Sequence, residues 1–317
     1  MTPPDTPIWS RRKDGIAFAD VPTRPGGRMP DFCIIGAAKA GTTALNAILD
    51  QHPDIFMCPL KESHYFSTGA MLARGDDWYR GLYAEARDDQ MAGEASTSYT
   101  RLPMTTGTAE RLAAANPGMK LVYVLREPVA RTESECLQTV KYARNLLGRD
   151  LSDKPLDEVL DILSDPTSDL YTAPIETSDY ARQIAAYDAV FPREAMLILF
   201  QDELRDRPAE TVARVFDHLG LPRAEIDPGL KSNVTADFTT GLRDERLAAR
   251  FRGLPGYGLL RGLMPKTLKD RIKAAVPRPE PRLSDARRNA LSRHFADRNA
   301  DLAERLGGEL PPEWSLP

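Results

Sequence analysis

The sequence predicts a single α/β domain built on a parallel sheet with helices on both faces. Apolar runs of strand length alternate with helical patterns, a glycine-rich turn follows the first run, and the 317 residues contain no repeat or linker. Strands that are apolar along their whole length need cover on both faces, as in parallel sheets. We expect this domain to span residues 30–317. Residues 1–29, rich in proline, glycine and charge, are expected to form a flexible N-terminal arm.

The predicted elements follow from hydrophobic periodicity and from turn residues. Strands are expected at DFCIIG (31–36), DIFM (54–57), more weakly MAGEASTSY, then KLVYVL (120–125) and AMLILF (195–200). Helices are expected at TTALNAILDQH, TTGTAERLAAAN, residues 128–144, SDYARQIAAYDAVF, PAETVARVFDHLG and, as one helix or a pair, the C-terminal stretch from SDARRN. Because the carboxyl ends of parallel strands share one edge of the sheet, residues that follow them are candidate ligand-binding residues.

The composition narrows the class of protein. A net charge of −4 argues against a general nucleic-acid binder, and no apolar run approaches the length of a membrane span. Three cysteines without metal-site spacing favour a reduced, cytoplasmic chain. Ten Lys or Arg in residues 241–280 could help to hold an anionic ligand, whereas the six acids of residues 151–170 are expected on solvated helix faces. The oligomeric state is left open.

The turn GAAKAGTT (36–43) has the spacing of a P-loop, a backbone loop that binds phosphate at a helix N-terminus. Lys39 lies inside the loop, and Thr42 occupies the place of the usual P-loop lysine. Small residues allow close approach of an anion, and two hydroxyls add donors. We expect Lys39, Ala40, Gly41, Thr42 and Thr43 of this P-loop-like fold to bind a phosphate group.

Two other functions are also compatible with a phosphate-binding loop. A nucleotide kinase would bind ATP and magnesium, with Asp202 of LILFQDE as the metal ligand. A nucleotide-binding module without catalysis is the other alternative. However, the clearest strand, KLVYVL, ends in Arg126 rather than in an acid, and an arginine there attracts a second phosphate instead of a metal. We therefore expect no metal site.

Three ordered segments, IIGAAKAGTTAL, HPDIFMCPLKESHYF and KLVYVLREPVARTESECLQ, resemble the sulfotransferases that use 3′-phosphoadenosine 5′-phosphosulfate (PAPS). They are most similar to the branch of heparan-sulfate-type enzymes and their bacterial relatives, over about residues 30–308. The resemblance implies that the first segment holds the 5′-phosphosulfate. It implies that Arg126 and Ser134 hold the 3′-phosphate, that Gln138 lies one turn further on near the acceptor, and that Arg278 matches a nucleotide-covering loop only loosely.

The resemblance also implies an acceptor site in KESHYF (61–66), with Glu62 as the general base and Lys39 assisting the leaving phosphate. His64 is expected on the same face of an extended strand, as a second candidate base or as a structural histidine. Glu94 is a candidate acceptor contact, but Ala95 stands where the heparan-type enzymes carry a lysine. The expected reaction is therefore sulfuryl transfer to a hydroxyl or amine of a small glycan, a lipid or a secondary metabolite.

Overall fold

The computed structural model describes residues 23–227, 282–306, 308 and 310–314. Its centre is a five-stranded, fully parallel sheet with the strand order β2-β3-β1-β4-β5. The strands are β1 Phe32–Gly36, β2 Ile55–Met57, β3 Met91–Ala95, β4 Lys120–Leu125 and β5 Met196–Phe200. All of β1 is buried, as are most residues of its neighbours. The predicted parallel sheet is confirmed.

Helices flank the sheet and connect its strands. They are α1 Thr42–Leu49, α2 Gly69–Leu72, α3 Asp76–Gly81, α4 Thr108–Ala115, α5 Pro128–Leu147, α6 Leu156–Ser164, α7 Pro174–Thr177, α8 Tyr180–Asp188, α9 Gln201–Asp206, α10 Pro208–Leu219 and α11 Asp285–Leu306. Short 3-10 turns cover Thr97–Thr100, Arg193–Ala195 and Pro312–Trp314. None of the helices in these described ranges is long and apolar enough to cross a membrane.

The main core surrounds the sheet. A second apolar core lies between α5, α6 and the first half of α11, where Leu137, Leu160 and Phe295 are buried. The acids of residues 151–170 were expected on solvated faces, but two of them hold α11. Ser284 donates to Asp157, and Arg287 lies 2.5 Å from Asp161. Both carboxylates still lie on solvated faces, since Asp157 is partly exposed and the Asp161 side chain is 61% exposed.

A buried ionic cluster joins α5 to the segment that follows the 3-10 turn Thr97–Thr100. The carboxylate of Glu135 lies 2.8 Å from the guanidinium group of Arg101 and 2.5 Å from that of Arg131, and all three side chains are at most 4% exposed. Burial raises the pKa of Glu135, but the two arginines outweigh it and hold this pKa at about 2. Glu135 is therefore ionised, and its charge keeps two buried cations paired.

The described part of the predicted arm is attached to the domain. Arg24 forms an ion pair with Glu85 at 2.7 Å, and Met29 packs against the main core. Residues 23–29 are thus not a free arm, and residues 1–22 lie outside the described part of the chain.

Candidate active site

Four chain segments meet at one edge of the sheet, because they follow the carboxyl ends of four neighbouring strands. The glycine-rich loop follows β1, and Arg126 follows β4. Residues 58–68 follow β2, and the 3-10 turn Thr97–Thr100 follows β3. In the strand order β2-β3-β1-β4, residues 58–68 and the 3-10 turn Thr97–Thr100 are neighbours on the candidate acceptor side. The glycine-rich loop and Arg126 are neighbours on the candidate phosphate-binding side. This edge is where ligands bind in open α/β sheets.

The loop between β1 and α1 is shaped by two glycines. A Cβ on Gly36 would lie 2.1 Å from the hydroxyl oxygen of Thr100, so the close approach of these segments requires glycine. Gly41 precedes α1 with a left-handed backbone (φ 93°), which glycine adopts at little cost. Thr42 is buried and Thr43 is exposed, both at the helix N-terminus. The first N–H groups of a helix have no partner within the helix and favour an anion.

Lys39 and Arg126 connect the two candidate phosphate-binding elements. The Nη1 atom of Arg126 donates to the backbone carbonyl oxygen of Lys39 at 3.1 Å. Lys39 itself has a left-handed backbone (φ 72°), a conformation that a non-glycine residue seldom adopts. Tyr180 holds the backbone of Arg126 through hydrogen bonds to both its N–H and its carbonyl group. The loop and the strand end therefore form one cationic unit.

Helix α5 presents the next predicted residues on successive turns. Glu127 caps the helix, since its side chain accepts hydrogen bonds from the N–H groups of Val129 and Ala130. Ser134 is 4% exposed, and its hydroxyl oxygen has no hydrogen-bond partner among the residues that the structure describes. Gln138 is half-buried and donates to Tyr142 at 2.7 Å. A buried hydroxyl without a partner, on the helix that follows Arg126, is the kind of group that a bound phosphate satisfies.

Glu62 is the accessible carboxylate of the acceptor segment, with a side chain 28% exposed. Thr97 donates a hydrogen bond of 2.7 Å to its Oε2 atom, and the ammonium group of Lys61 lies 3.4 Å from its Oε1 atom. Burial raises the pKa of Glu62, but Lys61, His64 and the Thr97 hydrogen bond outweigh it and lower this pKa to about 2. Glu62 is therefore ionised at neutral pH.

His64 is close to Glu62, but not for the predicted reason. Residues 61–66 form no strand, and His64 has a left-handed backbone (φ 55°). The expected extended strand with both side chains on one face is thus wrong. His64 Nε2 nevertheless lies 3.9 Å from Glu62 Oε2, and its Nδ1 is hydrogen-bonded to Ser98 at 2.7 Å. Burial lowers the pKa of His64 to about 4, so the ring is neutral at pH 7.

Glu94 does not reach the acceptor side as a free acid. It is 0% exposed, and its carboxylate accepts hydrogen bonds from the hydroxyl groups of four residues, namely Ser63, Tyr79, Ser96 and Tyr99. Burial raises its pKa, and the four hydroxyl groups offset part of that effect. The expectation of an acceptor contact is corrected, because the carboxylate is enclosed by the protein. Ala95 beside it is 1% exposed.

Two further candidates have different outcomes. Arg278, together with the basic run 241–280, lies outside the described residues. Asp202, the candidate magnesium ligand, lies in the first turn of α9, and its carboxylate is 2.5 Å from the guanidinium group of Arg205. Within residues 23–227 and the described C-terminal part, no three His, Cys, Asp or Glu side chains are grouped as a metal site. Asp202 instead forms an ion pair with Arg205 of its own helix.

Thr97 and Ser98 are the site residues that the sequence argument missed. They bind Glu62 and His64, respectively, although more than thirty residues separate the partners. The available signal was the hydroxyl-rich run STSYT (96–100) directly after a strand. Such a run at the carboxyl end of a buried strand indicates hydrogen-bonding groups at the ligand edge.

Two sulfotransferases are similar to this chain in sequence. The chain is 31% identical over 238 residues to mouse heparan sulfate glucosamine 3-O-sulfotransferase 6, covering 74% of this chain and 64% of that protein. It is 29% identical over 256 residues to human heparan sulfate glucosamine 3-O-sulfotransferase 3B1, covering 74% and 62%. The chain thus spans less than two thirds of the length of these relatives.

A solved sulfotransferase structure from Alicyclobacillus acidocaldarius is similar to the fold, with a TM-score of 0.58 and 24% identity over 90% of this chain and 98% of that one. The family model of the sulfotransferase domain matches residues 29–235, more than half of the chain. That range contains the glycine-rich loop, the acceptor segment and the start of α5. The chain therefore belongs to the sulfotransferase family.

Proposed function

We propose that this chain moves a sulfuryl group from PAPS to a hydroxyl or amine of a glycan or similar acceptor. The observation that carries the proposal is the 3.1 Å hydrogen bond from Arg126 to the carbonyl group of Lys39. It joins a loop suited to a phosphosulfate to a guanidinium group suited to a second phosphate. Membership of the sulfotransferase family supports the same reaction and does not favour the kinase alternative.

The residues present fit this donor. The buried hydroxyl of Ser134 lacks a partner among the described residues, and a 3′-phosphate near Arg126 supplies the acceptor oxygen that it needs. Gly41 leaves room above the loop, since even a Cβ there would lie 3.7 Å from its nearest neighbour. When bound, the donor supplies the sulfuryl group, and the 3′,5′-bisphosphate product (PAP) leaves.

Lys39 and the loop stabilise charge where the bond to sulfur breaks. The backbone N–H groups at the start of α1 hold the 5′-phosphate, and Thr42 and Thr43 add hydroxyl donors. The ammonium group of Lys39 offsets the negative charge that develops on the leaving phosphate oxygen. Because these cations belong to the chain, we expect turnover to persist in the presence of a metal chelator.

Glu62 is the stronger candidate for the general base. Its carboxylate is ionised and 28% exposed, whereas His64 is 3% exposed and hydrogen-bonded through Nδ1. Glu62 accepts the acceptor proton as the hydroxyl oxygen bonds to sulfur, and the proton becomes more acidic as that bond forms. Thr97 and His64 orient the carboxylate. The low pKa of Glu62 means that proton transfer accompanies bond formation rather than precedes it.

Two observations bear on the acceptor class, one for a glycan and one against an acceptor as anionic as heparan sulfate. The curated relatives act on a glucosamine hydroxyl of heparan sulfate, which favours a glycan. Ala95 is buried and apolar where the heparan-type enzymes carry a lysine, which favours a less anionic acceptor than heparan sulfate. We propose a small glycan first, and a lipid or secondary metabolite as the next acceptors to test.

Radiolabelled PAPS offered with a panel of acceptors tests the reaction. The panel contains heparan oligosaccharides, neutral oligosaccharides, glycolipids and phenols, and mass spectrometry of the products identifies the modified atom. Glu62→Gln serves as the control, because it keeps the size of the side chain and removes the base. We expect label transfer by the natural chain alone and PAP binding by both. Equal transfer by Glu62→Gln contradicts the assigned base.

We also propose a cytoplasmic location. Its support is that Cys33, Cys58 and Cys136 are buried free thiols, as is usual for proteins in reducing compartments. Fractionation of cells that express the tagged chain tests this, and recovery from an oxidising compartment contradicts it.

A further inference from the structure

The buried carboxylate of Glu94 connects the two halves of the candidate acceptor site. It lies at the end of β3, with 0% exposure, and its four hydrogen-bond donors are neutral hydroxyl groups. A carboxyl group buried among neutral hydroxyl groups costs the fold free energy unless its oxygens are hydrogen-bonded. The four hydroxyl groups therefore tie Glu94 to the chain segments on which they lie.

Three of these donors come from the segments that carry the acceptor groups. Ser63 belongs to residues 62–64, and Ser96 and Tyr99 belong to residues 96–99. The other side chains of these two segments pair with each other, Glu62 with Thr97 and His64 with Ser98, each at 2.7 Å. The two segments thus make one set of contacts inward to Glu94 and another set at the acceptor site.

The inward hydroxyl groups also hold the turn that begins at His64. The hydroxyl oxygen of Ser96 accepts a hydrogen bond from the backbone N–H of His64 at 3.2 Å, while its own proton goes to Glu94. Ser63 does the same for the N–H of Tyr65, also at 3.2 Å. A left-handed backbone at a non-glycine residue persists only where its surroundings over-determine it. These two relays from Glu94 supply that constraint.

We propose that Glu94 is a positioning residue of the acceptor site, whose carboxylate clamps residues 62–64 to residues 96–99 and so aims the Glu62 carboxylate. The inference rests on the proposed function for the role of Glu62. The clamp itself is a statement about geometry and is measurable without turnover.

Glu94→Gln is the direct perturbation. The amide keeps the shape of the side chain, but its NH₂ group donates, so it cannot accept from all the hydroxyl groups that the carboxylate now satisfies. We expect kcat with a neutral oligosaccharide and radiolabelled PAPS to fall by about tenfold or more, because Glu62 loses its orientation. The Kd for PAP should stay within about twofold, because Lys39, Arg126 and Ser134 lie on other segments.

His64 reports the position of the clamp directly. Its ring faces Glu62, Lys61 and Arg101, and burial holds its pKa at about 4. The chain has four histidines, so labelling of the histidine ring carbons gives four NMR signals, and the missing signal in His64→Asn assigns one of them. Loosening of the clamp admits water to the ring, and the pKa of His64 then rises toward the usual value of 6.5.

Two single-hydroxyl variants provide a matched comparison. Ser63→Ala and Tyr79→Phe each remove one donor to Glu94, but Ser63 belongs to the acceptor segment and Tyr79 belongs to α3. We expect the pKa of His64 to rise in Ser63→Ala and to stay near its original value in Tyr79→Phe. A general loss of stability does not distinguish these two variants, whereas the clamp does.

An unchanged His64 titration in Glu94→Gln, or equal effects of Ser63→Ala and Tyr79→Phe, overturns the proposal. If Glu94→Gln fails to fold, the two hydroxyl variants decide the question alone. The NMR results also stand if the natural chain transfers no sulfuryl group. Failure of the clamp and failure of the proposed function are therefore seen in different experiments.

Discussion

The hydroxyl of Ser134 should lower the stability of the free protein and strengthen the binding of PAP. It is 4% exposed and has no hydrogen-bond partner among the described residues. A buried hydroxyl without a partner costs about 1–3 kcal/mol. Ser134→Ala removes that cost and replaces serine by a better helix former. Without donor, we expect the free energy of unfolding to stay the same or to rise by about 1–2 kcal/mol.

The same substitution should weaken binding of the bisphosphate. A hydrogen bond to a charged phosphate contributes about 1.5–3 kcal/mol, which corresponds to an increase in the Kd for PAP of about tenfold to a hundredfold. Two quantities therefore move in opposite directions for one atom removed. An ordinary packing defect in α5 weakens both folding and binding.

Urea unfolding and calorimetry with PAP measure the two effects. Thr139→Val is the matched control, because Thr139 lies on the same helix with the same 4% exposure but donates to the carbonyl group of Glu135 at 3.0 Å. We expect the control to lose stability by about 1 kcal/mol and to keep its affinity for PAP. A Ser134→Ala variant that binds PAP like the natural chain refutes the assigned 3′-phosphate contact.

Three further substitutions test other parts of the site. Arg126→Lys keeps the charge but loses the planar fork, so calorimetry should show at least about tenfold weaker PAP binding; unchanged affinity rules out a bidentate contact. Glu135→Gln removes the carboxylate charge that lies against two buried guanidinium groups and should cost about 3–5 kcal/mol in urea unfolding at neutral pH. The pKa of Glu135 is about 2 in the folded protein and about 4.5 in the unfolded chain, so its contribution to the free energy of unfolding is present above pH 4.5 and is lost as pH falls toward 2. Thr97→Val removes a hydrogen bond that lowers the pKa of Glu62, so the acidic limb of the kcat/KM profile should move to higher pH; an unmoved limb argues against Glu62 as the base.

Much of the fold could be predicted because most of its strands are uninterrupted apolar runs. KLVYVL was predicted as residues 120–125, and β4 covers Lys120–Leu125. The glycine-rich turn after β1 was equally readable, since Gly36 and Gly41 occupy positions that other residues do not tolerate. Local patterns suffice where one short segment determines its own conformation.

The acceptor site could be predicted only in part, because its geometry depends on contacts between distant segments. The proximity of Glu62 and His64 was expected from an extended strand, but it arises from a left-handed turn. The burial of Glu94 depends on hydroxyl groups from three segments, and neither spacing nor periodicity reveals that. The same holds for Asp161 of α6, whose partner Arg287 lies on α11.

Calorimetry of PAP against adenosine 5′-phosphate and against ATP with magnesium tests the central claim most directly. The account predicts tight binding of PAP and binding of adenosine 5′-phosphate weaker by about a hundredfold, because the latter lacks the group that Arg126 and Ser134 hold. Arg126→Ala should bring the two affinities close together. Equal binding of both nucleotides by the natural chain, or preference for ATP with magnesium, contradicts the account.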